Sequence, residues 1–155
     1  MGRKLMAIDY LICATPEYLK EYGMSQHPRD LKQHCCICLG EEPGDSVWKF
    51  RHKHQSVRVQ VPGRYAANHT GVRLDTALHH VGIVSLPYFT ARRAIEQGKL
   101  VQVLPQWLFK TKYCGGAWVL YPPTRYLPPK IRVLIDFLAK RLAQEPTLGS
   151  VDRVC

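Results

Sequence analysis

RYAANHTGVRLDTALHHVGIVSLP, residues 64–87, decides how the chain folds. The pattern predicts a short strand over 64–67, a polar turn of Asn68, His69 and Thr70, an amphipathic helix over 71–81 and a buried strand over 83–86. Leu74, Ala77, Leu78 and Val81 recur with the 3.6-residue period of one helix face. Arg73, Asp75, Thr76, His79 and His80 fall on the opposite, polar face, with Asp75 and His79 one turn apart. Gly82 stands where a helix stop is expected. A strand that runs through a short polar turn into a helix points unpaired backbone N–H groups at one spot, which favours a carboxylate or another anion. The plainer reading is that Asn68 or Thr70 caps the helix.

Working outward, residues 9–14 (DYLICA) read as a short apolar strand, and Thr15-Pro16 opens a brief helix as N-cap and first helical residue. Residues 35–39 make the next strand. Residues 47–61 alternate, with Trp48 and Phe50 before a charged tip and Val57, Val59 and Val61 after it, which predicts a β-hairpin with one buried face. A second helix over 88–97 is stopped by Gly98, with Leu100 as the apolar residue that follows such an end. A strand is expected over 101–104, an irregular stretch over 109–116 and a strand over 117–121. Pro129 opens the last helix, with Ile131, Leu134, Ile135, Leu138 and Leu142 along one stripe. Strands alternating with helices predict an α/β fold with a mixed sheet flanked by helices. Ligands in such sheets sit outside the carboxyl ends of the strands, which brings together Asn68, Thr70, Pro87 and Phe89.

The 155 residues suit one compact domain. There is no apolar run long enough to span a bilayer, and Asp9 interrupts the one basic-then-apolar stretch that resembles a signal peptide, so a cytoplasmic chain without membrane contact is expected. The formal charge of +10 raises nucleic acid or an acidic ligand as a partner, with Lys49, Arg51, His52, Lys53 and His54 the densest basic group. His34, Cys35, Cys36 and Cys38 lack the C-x2-C spacing and the matching second pair of a zinc site. As strand residues, Cys36 and Cys38 share a face and suit a small buried role. No metal or cofactor is expected.

Several segments, taken in order, resemble the effector-binding region of LysR-type transcriptional regulators. They are CATPEYL at 13–19, HPRDLKQHCCICL at 27–39, the W-x-F strand at Trp48 and Phe50, VRVQVPGRYAANHTGVRLDTALHHVGIVSLP at 57–87, EQGKLVQVLPQW at 96–107 and YPPTRYLPPKIRVLIDFLAKRL at 121–142. The likeness implies a lobe built like half of a type 2 periplasmic binding protein. In that family two crossing strands join two lobes, and a small effector binds in the cleft between them. It implies a partial effector-binding domain over 5–145. Its parts would be a second lobe over 14–117, crossing strands over 9–13 and 117–121, and a helix from the first lobe over 129–143. A flexible tail is expected over 146–155. The effector contacts it implies are Thr15, Asn68, Thr70, Pro87 and Phe89. The implied partners are a small, anionic or neutral metabolite and a second copy of the chain. DNA would be bound only through a winged helix-turn-helix that does not precede Met1, and most of the first lobe is likewise absent.

Two other functions are open on the residues alone. One is a basic nucleic-acid-binding protein acting through the hairpin tip. The other is an enzyme with Cys114, before Gly115-Gly116, as nucleophile. No nucleophile elbow or metal motif supports catalysis, so a non-enzymatic sensor is the expected function.

Overall fold

The structure, a computed structural model, describes residues 1–123 and 126–148. At its centre is a five-stranded mixed sheet ordered β6-β3-β7-β2-β8: Gly63–Ala66, Cys36–Cys38, Ile83–Pro87, Tyr10–Ala14 and Val101–Gln102. β3 runs parallel to both β6 and β7, while β2 is antiparallel to β7 and β8. The α/β reading with a mixed sheet is what is found.

Side-chain alternation along these strands builds two cores. Ile12, Ala14, Cys36, Cys38 and Ile83 face one side, whereas Leu11, Cys13, Ile37, Val84 and Leu86 face the other. The first side is covered by α1 (Pro16–Tyr22) and by a three-stranded sheet ordered β5-β4-β9: Gln55–Gln60, Val47–His52 and Leu108–Lys110. The second is covered by α2 (Thr70–Leu78) and α3 (Tyr88–Glu96). The cysteines at 36 and 38 are therefore small core residues, and burial lifts both thiols above their ordinary value.

Several local predictions hold. Thr15 caps α1 by accepting from the Tyr18 N–H at 3.3 Å, with Pro16 in the first turn. The hairpin pairs His52 with Gln55 across a Lys53-His54 turn. α3 ends in a Schellman arrangement, Lys99 N–H to Ala94 carbonyl at 2.8 Å and Gly98 N–H to Ile95 carbonyl at 3.0 Å. The left-handed φ of +70° that this end needs falls on Gly98, and Leu100 is buried behind it.

Other details differ. α2 spans Thr70–Leu78, not 71–81, because the chain turns left-handed at His80 (φ 60°) and leaves Val81 exposed. Gly82 is needed for a different reason: a Cβ there would overlap the carbonyl oxygen of Cys35, which accepts from Ile83 N–H at 2.8 Å. The cap of α2 is neither Asn68 nor Thr70 but His69, whose Nδ1 accepts from Gly71 N–H at 3.2 Å. Arg73 is not on a polar face; it is 1% exposed, sharing the inward side of α2 with Ala77 four residues on.

Strand β9, Leu108–Lys110, runs into the stretch expected to be irregular over 109–116. It pairs with β4 and sets Phe109 against Trp48 and Phe50, with ring centroids 5.5 and 5.3 Å away. Of the strand expected over 101–104, 101–102 form β8 and Val103 N–H still donates to the Ile12 carbonyl at 2.9 Å; Leu104 turns away with φ 52°, and both Val103 and Leu104 stay buried.

The largest difference lies at the chain's start. β1 (Gly2–Ile8) pairs antiparallel with β10 (Gly115–Leu120) as a separate two-stranded ribbon. The strand expected over 9–13 belongs instead to the central sheet as β2, and Asp9 marks the break between the two. Backbone pairing decides this: the β10 register meets Gly2 to Ile8. α4 (Pro129–Leu142) lies on β1, where the Arg3 guanidinium pairs with Asp136. Of its expected stripe Ile135 is buried, together with Ala139, but Leu134 is 52% exposed, because the ribbon covers only one side of the helix. Leu148, in the expected tail, packs against the core on the α3 side, and Arg92 holds Glu145 at 3.0 Å. Residues 149–155 of that tail lie outside the described residues. Among the described residues, no helix is long and apolar enough to cross a membrane.

Candidate functional site

Because β3 is parallel to both β6 and β7, the carboxyl ends of all three strands open on one edge of the sheet. The register aligns Tyr65 and Val84 on either side of Ile37, so Asn68 and Pro87, each three residues further on, come out level. Two strand spacings separate them, about 10 Å. Asn68 is exposed in the bend before α2, Thr70 is half-buried in its first turn, and Pro87 is buried at the start of α3 with Phe89 exposed beside it. Thr15 is not with them. β2 runs the other way, pairing Tyr10 with Pro87, so Thr15 lies five residues towards the opposite edge, about 17 Å away. There it is buried, caps α1 and lies 2.7 Å from Nδ1 of His80.

A cavity of about 400 Å³ opens at this same edge, between the central sheet and the hairpin sheet. That volume is within the ordinary range for small-molecule sites. Tyr10, Ser85 and Leu39 line it from the central sheet, Trp48 and Phe109 from the hairpin sheet, and Arg73 reaches in from α2. None of the five sequence-predicted contacts lines it. Ser85 is two residues before Pro87, however, and Arg73 one turn beyond Thr70, so the cavity adjoins the rim they form.

Arg73 dominates the electrostatics. Its Nη1 donates to the Ser85 carbonyl oxygen at 2.6 Å and approaches Ser85 Oγ at 3.4 Å, while its buried Nε–H has no partner. Burial pulls the guanidinium below its usual range. It pushes the Tyr10 hydroxyl up despite the opposing pull of Arg73, and the Cys38 thiol up to about 11. One side of the mouth is fastened by two contacts: Tyr113 hydroxyl donates to Glu41 at 2.8 Å, and Lys112 pairs with Glu42. Asp45 accepts from the backbone N–H groups of Glu41 and Glu42 at 3.0 and 2.8 Å, holding that loop in shape. An aromatic, cationic cavity of this kind can hold a small organic anion.

Lys49 and Arg51 share the outward face of β4, away from the buried Trp48 and Phe50, with Arg58 and Lys110 opposite Lys49 on β5 and β9. Lys49 also lines the cavity, His52 lies within β4, and Lys53 and His54 make the turn. Cys114 Sγ is directed at the Phe109 carbonyl at 3.9 Å. Among the described residues, no cluster of His, Cys, Asp or Glu is arranged to hold a metal ion.

The family model described as the LysR substrate binding domain matches residues 2–143. The chain belongs to that family. Its relatives are transcriptional regulators. The probable HTH-type transcriptional regulator LtrA of Klebsiella pneumoniae is 49% identical over 139 residues, 90% of this chain and 45% of that protein. The HTH-type transcriptional regulator PtxR of Pseudomonas aeruginosa is 33% identical over 145 residues, 92% of this chain and 45% of that protein. The LysR-family virulence activator AphB of Vibrio cholerae superposes in its full-length structure with a TM-score of 0.78 at 27% identity, covering 91% of this chain and 47% of that one. The regulatory domain of AphB from Vibrio vulnificus superposes with a TM-score of 0.77 at 26% identity, covering 90% of this chain and 68% of that one. The chain thus spans about half the length of the curated LysR relatives it matches.

Sequence reasoning found the sheet edge but missed Arg73, Tyr10 and the Trp48–Phe109 wall. One signal was available for Arg73: it stands four residues before Ala77, on the buried stripe, but hydropathy assigned it to water.

Proposed function

We propose that this lobe senses a small metabolite for a LysR-type regulator, with the effector at the edge where the carboxyl ends of β3, β6 and β7 converge. The observation that carries the reading is the cavity at that edge, aromatic-walled and holding a buried arginine without an acidic partner. Asn68, Thr70, Pro87 and Phe89 form the rim beside it, and Thr15 serves α1 instead. In the whole regulator, the first lobe would close over this edge. Its natural seat is the surface where Trp118, Leu120, Val133, Leu134 and Phe137 are exposed. Effector binding would then change the balance between two arrangements of an oligomer, which requires different affinity for the two. DNA contact would belong to other parts of a cytoplasmic protein, and this lobe would carry out no catalysis.

A thermal-shift screen of metabolites against the chain tests this. A true effector at a hundred times its Kd adds about 2.7 kcal/mol of stability, roughly 5–10 °C in Tm. Thr70→Trp, which crowds the rim without touching the core, is expected to abolish the shift while leaving the unliganded Tm unchanged. A hit that stabilises this variant as strongly as the wild-type chain contradicts the site.

A further inference from the structure

We propose that the cavity holds the carboxylate of a small, largely apolar organic acid on the Nε/Nη2 edge of Arg73, entirely within this lobe. The inference takes its regulatory meaning from the sensor reading above, but the binding itself is read out directly.

A guanidinium offers two kinds of donor edge. Nη1 of Arg73 is occupied by Ser85, at 2.6 Å from the carbonyl oxygen and 3.4 Å from Oγ. The buried Nε–H is without a partner. Nε–H and the adjacent N–H of Nη2 point the same way, forming the fork that matches the two oxygens of a carboxylate. Arg73 is 1% exposed and lines the cavity, and a charged donor left unmet in such a place is costly.

The surrounding acids do not meet it either. Glu42 is held by Lys112, Asp45 by the backbone of its own loop, and Glu41 by the Tyr113 hydroxyl. Among the described residues no carboxylate forms an ion pair with Arg73. Lys49 and Lys110, paired across β4 and β9 at the cavity, add further positive field. The aromatic walls set the rest of the ligand: Tyr10, Trp48 and Phe109 suit a ring or short alkyl body and offer little to a strongly hydrated phosphate.

The test follows the Arg73 Nε–H resonance by ¹⁵N NMR, assigned by its loss in Arg73→Met. The chain is titrated with benzoate, hexanoate, benzamide and inorganic phosphate. A saturable downfield shift of that resonance with benzoate or hexanoate is expected, together with at least about ten-fold weaker binding of benzamide and phosphate. Arg73→Lys keeps the charge but loses the fork, and is expected to weaken the acid about ten-fold or more; Lys53→Met, at the hairpin turn, leaves it unchanged. The proposal is overturned if both acids leave the resonance unmoved, if benzamide binds as tightly, or if Arg73→Lys keeps full affinity. The two readings fail separately. A metabolite that stabilises Arg73→Met as much as the wild-type chain leaves the sensor reading standing and overturns this one.

Discussion

Arg73 Nη1 donates to the carbonyl oxygen of Ser85 at 2.6 Å, tying a side chain of α2 to the strand β7 where the cavity opens. With the 3.4 Å approach to Ser85 Oγ, that tie holds the guanidinium in place, yet it meets only part of the demand of a buried charge. Arg73→Met removes the unmet donor and keeps most of the volume. We expect denaturant unfolding to show a gain of about 1–2 kcal/mol, as when buried polar groups give way to apolar ones of similar shape. A loss of more than about 2 kcal/mol would mean that the guanidinium is a net stabiliser of the lobe, with no need of a ligand.

Thr15 separates the structural role from the binding role. Thr15→Ala removes the cap of α1 and the contact with His80, so it should cost about 1–2 kcal/mol. Ligand affinity, measured by calorimetry on the folded variant, is expected to stay unchanged, since the residue lies at the far edge of the sheet. A large loss of affinity at full folding would return Thr15 to the site.

The two faces of α4 should respond very differently. Ile135 is 6% exposed against the β1–β10 ribbon, and Ile135→Ala is expected to cost about 2–4 kcal/mol. Phe137 is 63% exposed, and Phe137→Ser is expected to change stability by no more than about 0.5 kcal/mol. Equal costs at the two positions would mean that α4 does not pack on the β1–β10 ribbon through Ile135.

His34 gives the lobe a specific acid limb. Burial holds its imidazole below the ordinary value of 6.5, against an opposing pull from Asp30. The Tyr18 hydroxyl accepts from Cys35 N–H at 3.0 Å and meets His34 Nδ1 at 3.3 Å, an arrangement that suits neutral imidazole. The unfolded chain therefore takes up a proton that the folded chain resists. Stability is full above about pH 6.5 and falls as the pH is lowered through the folded value. His34→Gln should flatten that limb in a pH series of urea melts. A second limb should remain below about pH 3.8, where Asp30, held low mainly by the His27 backbone N–H, takes up its proton. An unchanged limb near pH 6 in the variant would assign it to another group.

Local rules carried most of the fold. Residues 36–38 and 83–87 are apolar runs between turn signals, and 47–61 alternates, so their identity as strands follows from period and punctuation. β9 has only three residues beside Trp107, too few for a period, and it becomes a strand because β4 has a free edge to pair. The family likeness implied 9–13 as the crossing strand that accompanies 117–121, but the pairing with β10 falls on Gly2–Ile8, a long-range register that no local pattern encodes. The site shows the same division. Its edge follows from the strand–turn–helix pattern at 64–87, whereas the Arg73–Ser85 contact joins residues whose meeting depends on how α2 lies across β7.

The most direct measurement of the central claim is backbone chemical-shift mapping of the chain during titration with the strongest hit of the metabolite screen. Perturbed residues are expected to cluster at Leu39, Asn68–Arg73, Ser85–Phe89 and Phe109–Tyr113, around the sheet edge and its cavity. Perturbations centred on the Lys53–His54 turn, or on the far edge near Thr15 and His80, would contradict that claim.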